Sequence, residues 1–98
     1  MAPTFALAPR IVADWKRLSA VQRAAFRAAR DEMIEDLSSG GRFRPGLRVK
    51  GVQGSPGVFE MTWAPDGRAT FEYGSEQRSG EPHVIWRRIG THDVFDRP

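Results

Sequence analysis

The chain has 98 residues, a formal net charge of +3 and no cysteine. This length suits one domain with one hydrophobic core, and the 40% apolar content, which includes three tryptophans, is enough to fill it. The lack of cysteine excludes disulfides, cysteine-bound zinc and thiol nucleophiles. No apolar run approaches the ~20 residues of a membrane span, and the N-terminus does not resemble a signal peptide. We therefore expect residues 1–98 to form a single soluble domain in the cytoplasm, with no membrane contact.

The positive charge is concentrated in one short segment. Residues 42–51 contain four basic side chains and no acidic one, whereas acidic groups outnumber basic ones in residues 52–98. A local excess of this kind attracts polyanions such as nucleic acids. Because the chain generally prefers arginine to lysine, charge alone favours nucleic-acid contact only slightly over an ordinary solvated face.

The first predicted elements are a short strand and a helix. Thr4–Leu7 alternates apolar and small residues, which predicts a strand. Pro9 suits the first turn of a helix because its missing N–H would have no partner there. Apolar residues then recur at helical spacing, at Ile11, Val12, Trp15 and Leu18.

A second helix is predicted to begin at once. Ser19 and Gln22 have the spacing of a capping box, in which each side chain bonds the other residue's backbone N–H. The apolar spacing continues to about Leu37, and the glycines at 40 and 41 end the helix. With almost no loop between them, the two helices should form an αα-hairpin.

After the glycines the apolar period changes to two, the period of β-strands. Leu47 and Val49 alternate with Arg48 and Lys50, so we expect a strand with both basic side chains on one face. This strand would carry the charge of the basic segment on a sheet.

A hairpin and a final strand follow. Residues 58–63 and 68–73 alternate apolar and polar side chains, and the Pro-Asp-Gly sequence between them is strong turn chemistry. Residues 74–82 are polar and predict a flexible loop, and residues 83–89 predict the last long strand. The predicted fold class is α+β, with an N-terminal short strand and a two-helix hairpin packed on a small antiparallel β-sheet.

Three segments carry a resemblance to a known family. Residues 14–18 read DWKRL, residues 47–50 read LRVK, and residues 88–95 read RIGTHDVF. In their order, their spacing and the chain length, these segments resemble the RelE/ParE/HigB toxins of bacterial type II toxin–antitoxin systems, over nearly the whole chain. The resemblance implies an α+β toxin that is neutralised by a cognate antitoxin. It implies mRNA cleavage on the ribosome in the RelE branch and inhibition of DNA gyrase in the ParE branch.

The RelE branch also implies candidate site residues. RNA cleavage without a metal or other cofactor uses the 2′-hydroxyl against the adjacent phosphate, and it needs proton transfer and positive charge. Arg68 stands where the RelE pattern has a phosphate-binding arginine, and His92 stands where these toxins carry an arginine or histidine. A histidine with an unperturbed pKa of about 6.5 can act as general acid or base. We expect further RNA contacts from Arg44, Arg48, Lys50, Arg87 and Phe95.

The chain departs from the family pattern at three positions. Glu60 and Thr62 stand where RelE-type toxins have lysines, and Phe95 stands where many have a tyrosine. Glu60 can replace them as general base, and Phe95 can stack on a nucleobase but cannot donate a proton. These departures leave two alternatives open. One is a ParE-like gyrase inhibitor without catalysis, and the other is a basic nucleic-acid-binding relative that has lost toxicity.

Each candidate residue also has a purely structural explanation. His92 can be a loop residue whose ring bonds a neighbouring group, and Glu60 can pair with Arg68 across the hairpin. Arg87 and Arg88 point to opposite faces of one strand, so at most one of them joins the site. The nuclease hypothesis requires Arg68 and His92 to lie close together on one accessible surface.

Overall fold

The computed structural model describes residues 2–92, 94 and 98. In chain order its elements are β1 (Thr4–Leu7), α1 (Pro9–Arg17), α2 (Ala20–Ser38), a short 3-10 helix (Pro45–Leu47), β2 (Lys50–Gly51), β3 (Val58–Ala64), β4 (Gly67–Arg78) and β5 (Glu81–Thr91).

The start of α2 is fixed by the predicted capping box. The backbone N–H of Gln22 donates to the Ser19 hydroxyl at 3.1 Å, and the backbone N–H of Ser19 donates to the Gln22 side chain at 2.8 Å. Only residues 18 and 19 separate the two helices, and Leu18 is buried. The predicted αα-hairpin is therefore confirmed.

The strands form one mixed sheet in the order β1-β5-β4-β3-β2. The pairs β2–β3, β3–β4 and β4–β5 are antiparallel, as expected, but β1 pairs with β5 in parallel. The predicted antiparallel sheet is thus extended at one edge by a parallel strand, a pairing that the sequence analysis did not specify. Parallel neighbours need a long connection, and the chain from α1 to β4 supplies it.

The predicted strand over residues 47–50 is largely absent. Residues 45–47 form the short 3-10 helix, Arg48 has a left-handed backbone with φ 50°, and only Lys50 and Gly51 pair with β3. The Pro-Gly dipeptide favours a turn here, and Leu47 is buried by packing rather than by strand alternation. The basic side chains of Arg48 and Lys50 therefore do not share the face of one strand.

The predicted loop over residues 74–82 is also wrong. β4 and β5 continue as a two-stranded ribbon, which turns at Ser79 and Gly80, where Gly80 has a φ of 80°. Most residues on the β4 side of this ribbon are exposed and polar. The sequence there lacks the alternation of apolar and polar residues that would predict a strand. Backbone pairing alone extends the hairpin.

The core lies between α2 and one face of the sheet. The predicted apolar stripe of α2 is buried, at Phe26, Ala29, Met33 and Leu37. It packs on buried sheet residues, which include Met61, Ala69, Phe71, Trp86 and Ile89. The ring centroids of Phe26 and Trp86 lie 5.3 Å apart in an edge-to-face arrangement, which is favourable for aromatic pairs. Neither helix in the described part of the chain has the combined length and apolarity of a membrane span.

An ion pair attaches α1 to β5. The Arg88 guanidinium donates to the Asp14 carboxylate at 2.6 and 3.0 Å, and the backbone N–H of Ile89 donates to it at 3.1 Å. The Asp14 side chain is only 5% exposed and that of Arg88 14%. Three hydrogen bonds thus satisfy a buried carboxylate and fix the helix against the strand.

We expect Asp14→Ala to lower the free energy of unfolding by roughly 3–5 kcal/mol, because it removes the carboxylate opposite a mostly buried guanidinium. Urea denaturation followed by circular dichroism measures the change. Asp31→Ala is the matched control, since it removes the carboxylate of the exposed Arg30–Asp31 pair and should cost less than about 1 kcal/mol. Similar losses in both variants would contradict a structural role for Asp14.

Candidate functional site

The face of the sheet opposite α2 carries a polar cluster. Strand periodicity turns Glu60, Thr70 and Glu72 away from the core residues that alternate with them, and Lys50 lies opposite Glu60 in the register. Arg87 joins the same face through its ion pair with Glu72 at 2.9 Å. We call these five residues the polar cluster.

The structure brings the candidates Lys50 and Glu60 together. The Lys50 ammonium lies 3.6 Å from the Glu60 carboxylate, and their side chains are 67% and 10% exposed. The alternative pairing of Glu60 with Arg68 is not observed, because Arg68 lies opposite Thr62 in the register. Glu60 therefore has a cation beside it on β2, and little of its carboxyl is reachable from solvent.

Two donors of the polar cluster converge on one oxygen. The Thr70 hydroxyl and the Arg87 Nε each donate to the Pro98 carbonyl at 3.0 Å. Thr70 is fully buried, so this bond satisfies a hydroxyl that water does not reach. Sequence reasoning missed Thr70, because its partner lies 28 positions away in the chain.

The candidate Arg68 lies at the hairpin turn between β3 and β4. Its Nη1 donates to the carbonyls of Gly67 at 2.9 Å, Ala64 at 3.3 Å and Pro65 at 3.4 Å. These bonds hold the guanidinium against the turn.

The candidate His92 lies at the same end of the sheet as Arg68. In the register of β4 and β5, Gly67 lies opposite Thr91 and Arg68 lies opposite Gly90. His92 follows Thr91 directly and is exposed. The two candidates therefore sit at matching ends of neighbouring strands, although they are 24 positions apart in the sequence.

The other predicted cations are dispersed or neutralised. The Arg44 guanidinium donates to the Asp36 carboxylate at 2.9 and 3.0 Å, and it also pairs with Glu32 at 3.2 Å and Glu35 at 3.3 Å. Arg48 is exposed on its left-handed turn. The expected continuous basic stripe is not present, because carboxylates from α2 and β3 fold onto the basic segment.

The Arg44–Asp36 contact shifts the titration of both groups. Hydrogen bonds from the Arg44 side chain and backbone hold the pKa of the Asp36 carboxyl below its ordinary value of 3.8. The bond to Asp36 likewise raises the pKa of the Arg44 guanidinium. This cluster belongs to the connection between α2 and the sheet.

The remaining candidate, Phe95, lies outside the described residues.

No protein-family model matches the chain, and no curated protein sequence is significantly similar to it. Solved structures do match. A chain of the E. coli DinJ–YafQ toxin–antitoxin complex superposes with a TM-score of 0.67 and 15% identity, over 96% of this chain and 97% of the other. For a chain of the RelB–RelE complex of Methanococcus jannaschii the TM-score is 0.63 with 17% identity, over 95% of this chain and 99% of the other. For the YoeB/ParE toxin of Agrobacterium tumefaciens the TM-score is 0.62 with 11% identity, over 91% of this chain and 98% of the other.

These superpositions confirm the fold that the sequence resemblance implied. The chain has the α+β fold of RelE/ParE toxins over nearly its full length, with two helices on a five-stranded sheet. At identities below 20%, the likeness concerns the fold, and function has to be argued from the site.

The Asp36 contact predicts a pH-dependent stability. A carboxyl whose pKa is lowered by folding stabilises the protein above its unfolded pKa, and this contribution is lost as the pH falls through the folded pKa. Asp36→Asn should therefore melt at a lower temperature than the wild type at pH 7, and the difference should shrink below about pH 4. Arg44→Gln should show the same pattern with a smaller difference, since it removes the side-chain bonds to Asp36 but keeps the bond from the backbone N–H of residue 44. A difference that stays constant from pH 7 to pH 2.5 would contradict this origin of the shift.

Proposed function

We propose that this chain is the toxin of a type II toxin–antitoxin system and a ribosome-dependent mRNA endonuclease. In this proposal the 2′-hydroxyl of the message attacks the adjacent phosphate, and no metal takes part. The fold supports the toxin role, since it is the fold of YafQ, RelE and YoeB toxins. The observation that carries the nuclease role is the strand register that sets Arg68 and His92 at one end of the sheet.

Each residue has a role that follows from its chemistry. The guanidinium of Arg68 can bind two phosphate oxygens with its planar fork and stabilise the charge that develops on the phosphorane. The imidazole of His92 transfers a proton, either from the nucleophile or to the leaving oxygen. The turn carbonyls that hold Arg68 are weak neutral acceptors, and an RNA phosphate would compete with them as a charged one.

Exposure favours His92 over Glu60 as the proton-transferring group. Glu60 lies two residues before Thr62 on β3, which puts it about 7 Å along the strand from the residue opposite Arg68. Its side chain is only 10% exposed and lies beside Lys50. Glu60 acts as a base in this proposal only if RNA reaches that buried carboxylate. The side chains of Lys50, Arg48 and Arg87 can contact the RNA backbone from the surface.

A gyrase inhibitor without catalysis is the second candidate. The observation that favours it is that Arg68, Glu60 and Arg87 all have partners within the fold. Charged side chains that only stabilise the sheet, and do not bind RNA, would also be paired within the fold. In either case the partner would be a cognate antitoxin and the site of action the cytoplasm. The matching DinJ–YafQ and RelB–RelE structures are complexes of a toxin with an antitoxin.

Expression in bacteria, followed by primer extension on a translated message, tests the nuclease role. The wild type should arrest growth and create new mRNA ends, and His92→Ala and Arg68→Ala should each reduce cleavage by about 10²-fold or more. Arg78→Ala is the control, because Arg78 lies at the far end of the β4–β5 ribbon. Circular dichroism establishes that each variant is folded.

The outcomes separate the two candidates. New mRNA ends that disappear in both site variants and persist in Arg78→Ala support the endonuclease. Growth arrest without new mRNA ends, accompanied by a DNA-damage response, contradicts it and supports a gyrase inhibitor. Cleavage at the wild-type rate by His92→Ala would refute the proton-transfer role of this residue.

A further inference from the structure

Two side chains of the polar cluster form a small site for an acceptor oxygen, and the chain itself fills it. The Thr70 hydroxyl and the Arg87 Nε each donate to the Pro98 oxygen at 3.0 Å. The two donors belong to the neighbouring strands β4 and β5. Pro98 is distant from both in the sequence, 28 positions from Thr70 and 11 from Arg87. The oxygen therefore occupies a site that the sheet builds and that another acceptor can enter.

A β-bulge brings Arg87 into this site. In the register, Thr70 lies opposite Arg88 and Phe71 lies opposite Trp86. Arg87 is therefore an extra residue of β5 without an opposite residue on β4. A bulge of this kind bends its strand and changes the direction of the local side chains. We attribute the convergence of Arg87 and Thr70 to this irregularity.

A carboxylate fixes the orientation of the Arg87 guanidinium. Its Nη1 donates to Glu72 at 2.9 Å, while its Nε donates to Pro98 at 3.0 Å. Because the two bonds use different nitrogens, Pro98 can leave without breaking the ion pair with Glu72. The edge of the guanidinium that contains Nε then stays turned toward the site, and such an edge can bind two oxygens of one phosphate.

The Thr70 hydroxyl needs an acceptor at this position. Thr70 is fully buried, and a buried donor that loses its partner destabilises the fold. Displacement of Pro98 therefore has to bring another acceptor oxygen to the site. A phosphate oxygen is well suited, because it is negatively charged and accepts hydrogen bonds from a hydroxyl and from a guanidinium at the same time.

The site lies next to the candidate Arg68 on the same strand. Arg68 and Thr70 are two residues apart on β4, about 7 Å along the strand, and both alternate with the buried residues Ala69 and Phe71. Neighbouring phosphates of an extended RNA strand have a similar spacing. An RNA with one phosphate at Arg68 can therefore place the next phosphate at Thr70 and Arg87.

The charges around the site favour an anion that arrives as part of a longer strand. Glu60 lies opposite Thr70 in the register, with the Lys50 ammonium 3.6 Å from its carboxylate, and Glu72 pairs with Arg87. The polar cluster thus contains two basic and two acidic side chains, and its net charge is zero. A neutral cluster does not attract free phosphate from a distance. An RNA already bound at Arg68 supplies the phosphate at a high effective concentration.

We propose that Thr70 and Arg87 form a second phosphate-binding subsite for RNA, and that the Pro98 oxygen occupies this subsite until RNA displaces it. The inference rests on the proposed function for the identity of the ligand, since it takes RNA to be the polyanion that binds this face of the sheet. The chain then competes with its own substrate at one subsite, and the competition lowers the affinity for RNA without involving His92.

Binding of an RNA that cannot be cleaved separates this subsite from catalysis. The probe is a short, labelled oligoribonucleotide that is 2′-O-methylated throughout, so it has no nucleophile, and fluorescence anisotropy gives its dissociation constant. A variant that lacks residues 96–98 has no competing Pro98, and it loses one acidic and one basic side chain, so its net charge is unchanged. We expect this shortened variant to bind the RNA about threefold more tightly or better, because the subsite of the full chain is free for only part of the time.

Substitutions in the shortened variant test the two donors. Thr70→Val removes the hydroxyl at nearly constant volume and should weaken RNA binding about tenfold, whereas Thr70→Ser keeps the hydroxyl and should bind like its parent. Arg87→Gln should weaken binding by a similar factor and reduce the slope of log affinity against log salt by about 0.7, the value for one phosphate contact with a single strand. Arg78→Gln removes the same charge at the exposed far end of the β4–β5 ribbon and should leave the affinity unchanged.

The coupling between the deletion and the substitutions is the sharpest readout. In Thr70→Val and in Arg87→Gln, removal of residues 96–98 should no longer improve RNA binding, because the subsite for which Pro98 competes is lost. Circular dichroism establishes that each variant is folded. Thr70→Ser keeps the test valid if Thr70→Val does not fold, since Arg87→Gln can then be compared with it.

Three outcomes would overturn the inference. Equal affinity of the full chain and the shortened variant would show that Pro98 does not compete with RNA. Unchanged or tighter binding by Thr70→Val would show that Thr70 only holds Pro98. No binding of the RNA by either length would remove the ligand.

Failure of the proposed function gives a different pattern. The expected affinities in a protein that leaves translated mRNA intact would refute the nuclease role and support the RNA subsite. Cleavage that depends on His92, in a protein whose RNA affinity does not respond to Thr70→Val, would support the nuclease role and refute this inference.

Discussion

The carboxylate of Asp14 is the contact on which the arrangement of the molecule depends. It accepts hydrogen bonds from the Arg88 side chain and from the backbone of Ile89, and it is almost completely buried. One residue of α1 thereby fixes the direction of β5 near its C-terminal end. The register of β4 and β5 sets the position of His92 relative to Arg68, and the Asp14 contact holds α1 at the same end of the sheet. A buried charge is costly when it is unpaired, so a placement of α1 that separates Asp14 from Arg88 would be disfavoured.

The two faces of the sheet carry different kinds of side chain, because the helices cover only one face and cover it only in part. On the helix side, aromatic and aliphatic side chains of α2, β4 and β5 form the core, and Phe5 and Leu7 of β1 stay partly exposed. On the other side, alternation puts charged and hydroxyl side chains in the polar cluster, where most of them are paired. The chain thus satisfies this polar face with its own groups, and the Pro98 oxygen lies where the proposed second phosphate would bind. The proposed competition follows from the sheet geometry and from side-chain polarity.

Local signals in the sequence were sufficient for the elements that depend on local chemistry. The capping box of Ser19 and Gln22, the Pro-Asp-Gly turn and the buried stripe of α2 are all determined by neighbours a few positions apart. Features that depend on distant partners were missed. The parallel pairing of β1, the ribbon over residues 74–82 and the neutralisation of Arg44 by α2 all require knowledge of which segments meet. For the candidate site, the alternation that places Glu60 and Arg68 on one face was predictable, whereas the pairing of Glu60 with Lys50 required the register of β2.

The central claim is that Arg68 and His92 act on the same phosphate of a bound message. A double-mutant cycle on the rate of mRNA cleavage tests it most directly, with Arg68→Ala, His92→Ala and the combined variant compared with the wild type on translating ribosomes. Groups that act as one unit give strongly non-additive losses, so we expect the combined variant to be scarcely slower than the slower single variant. A combined loss equal to the product of the two single losses would show that the residues act independently. That result would contradict a shared site at the ends of β4 and β5.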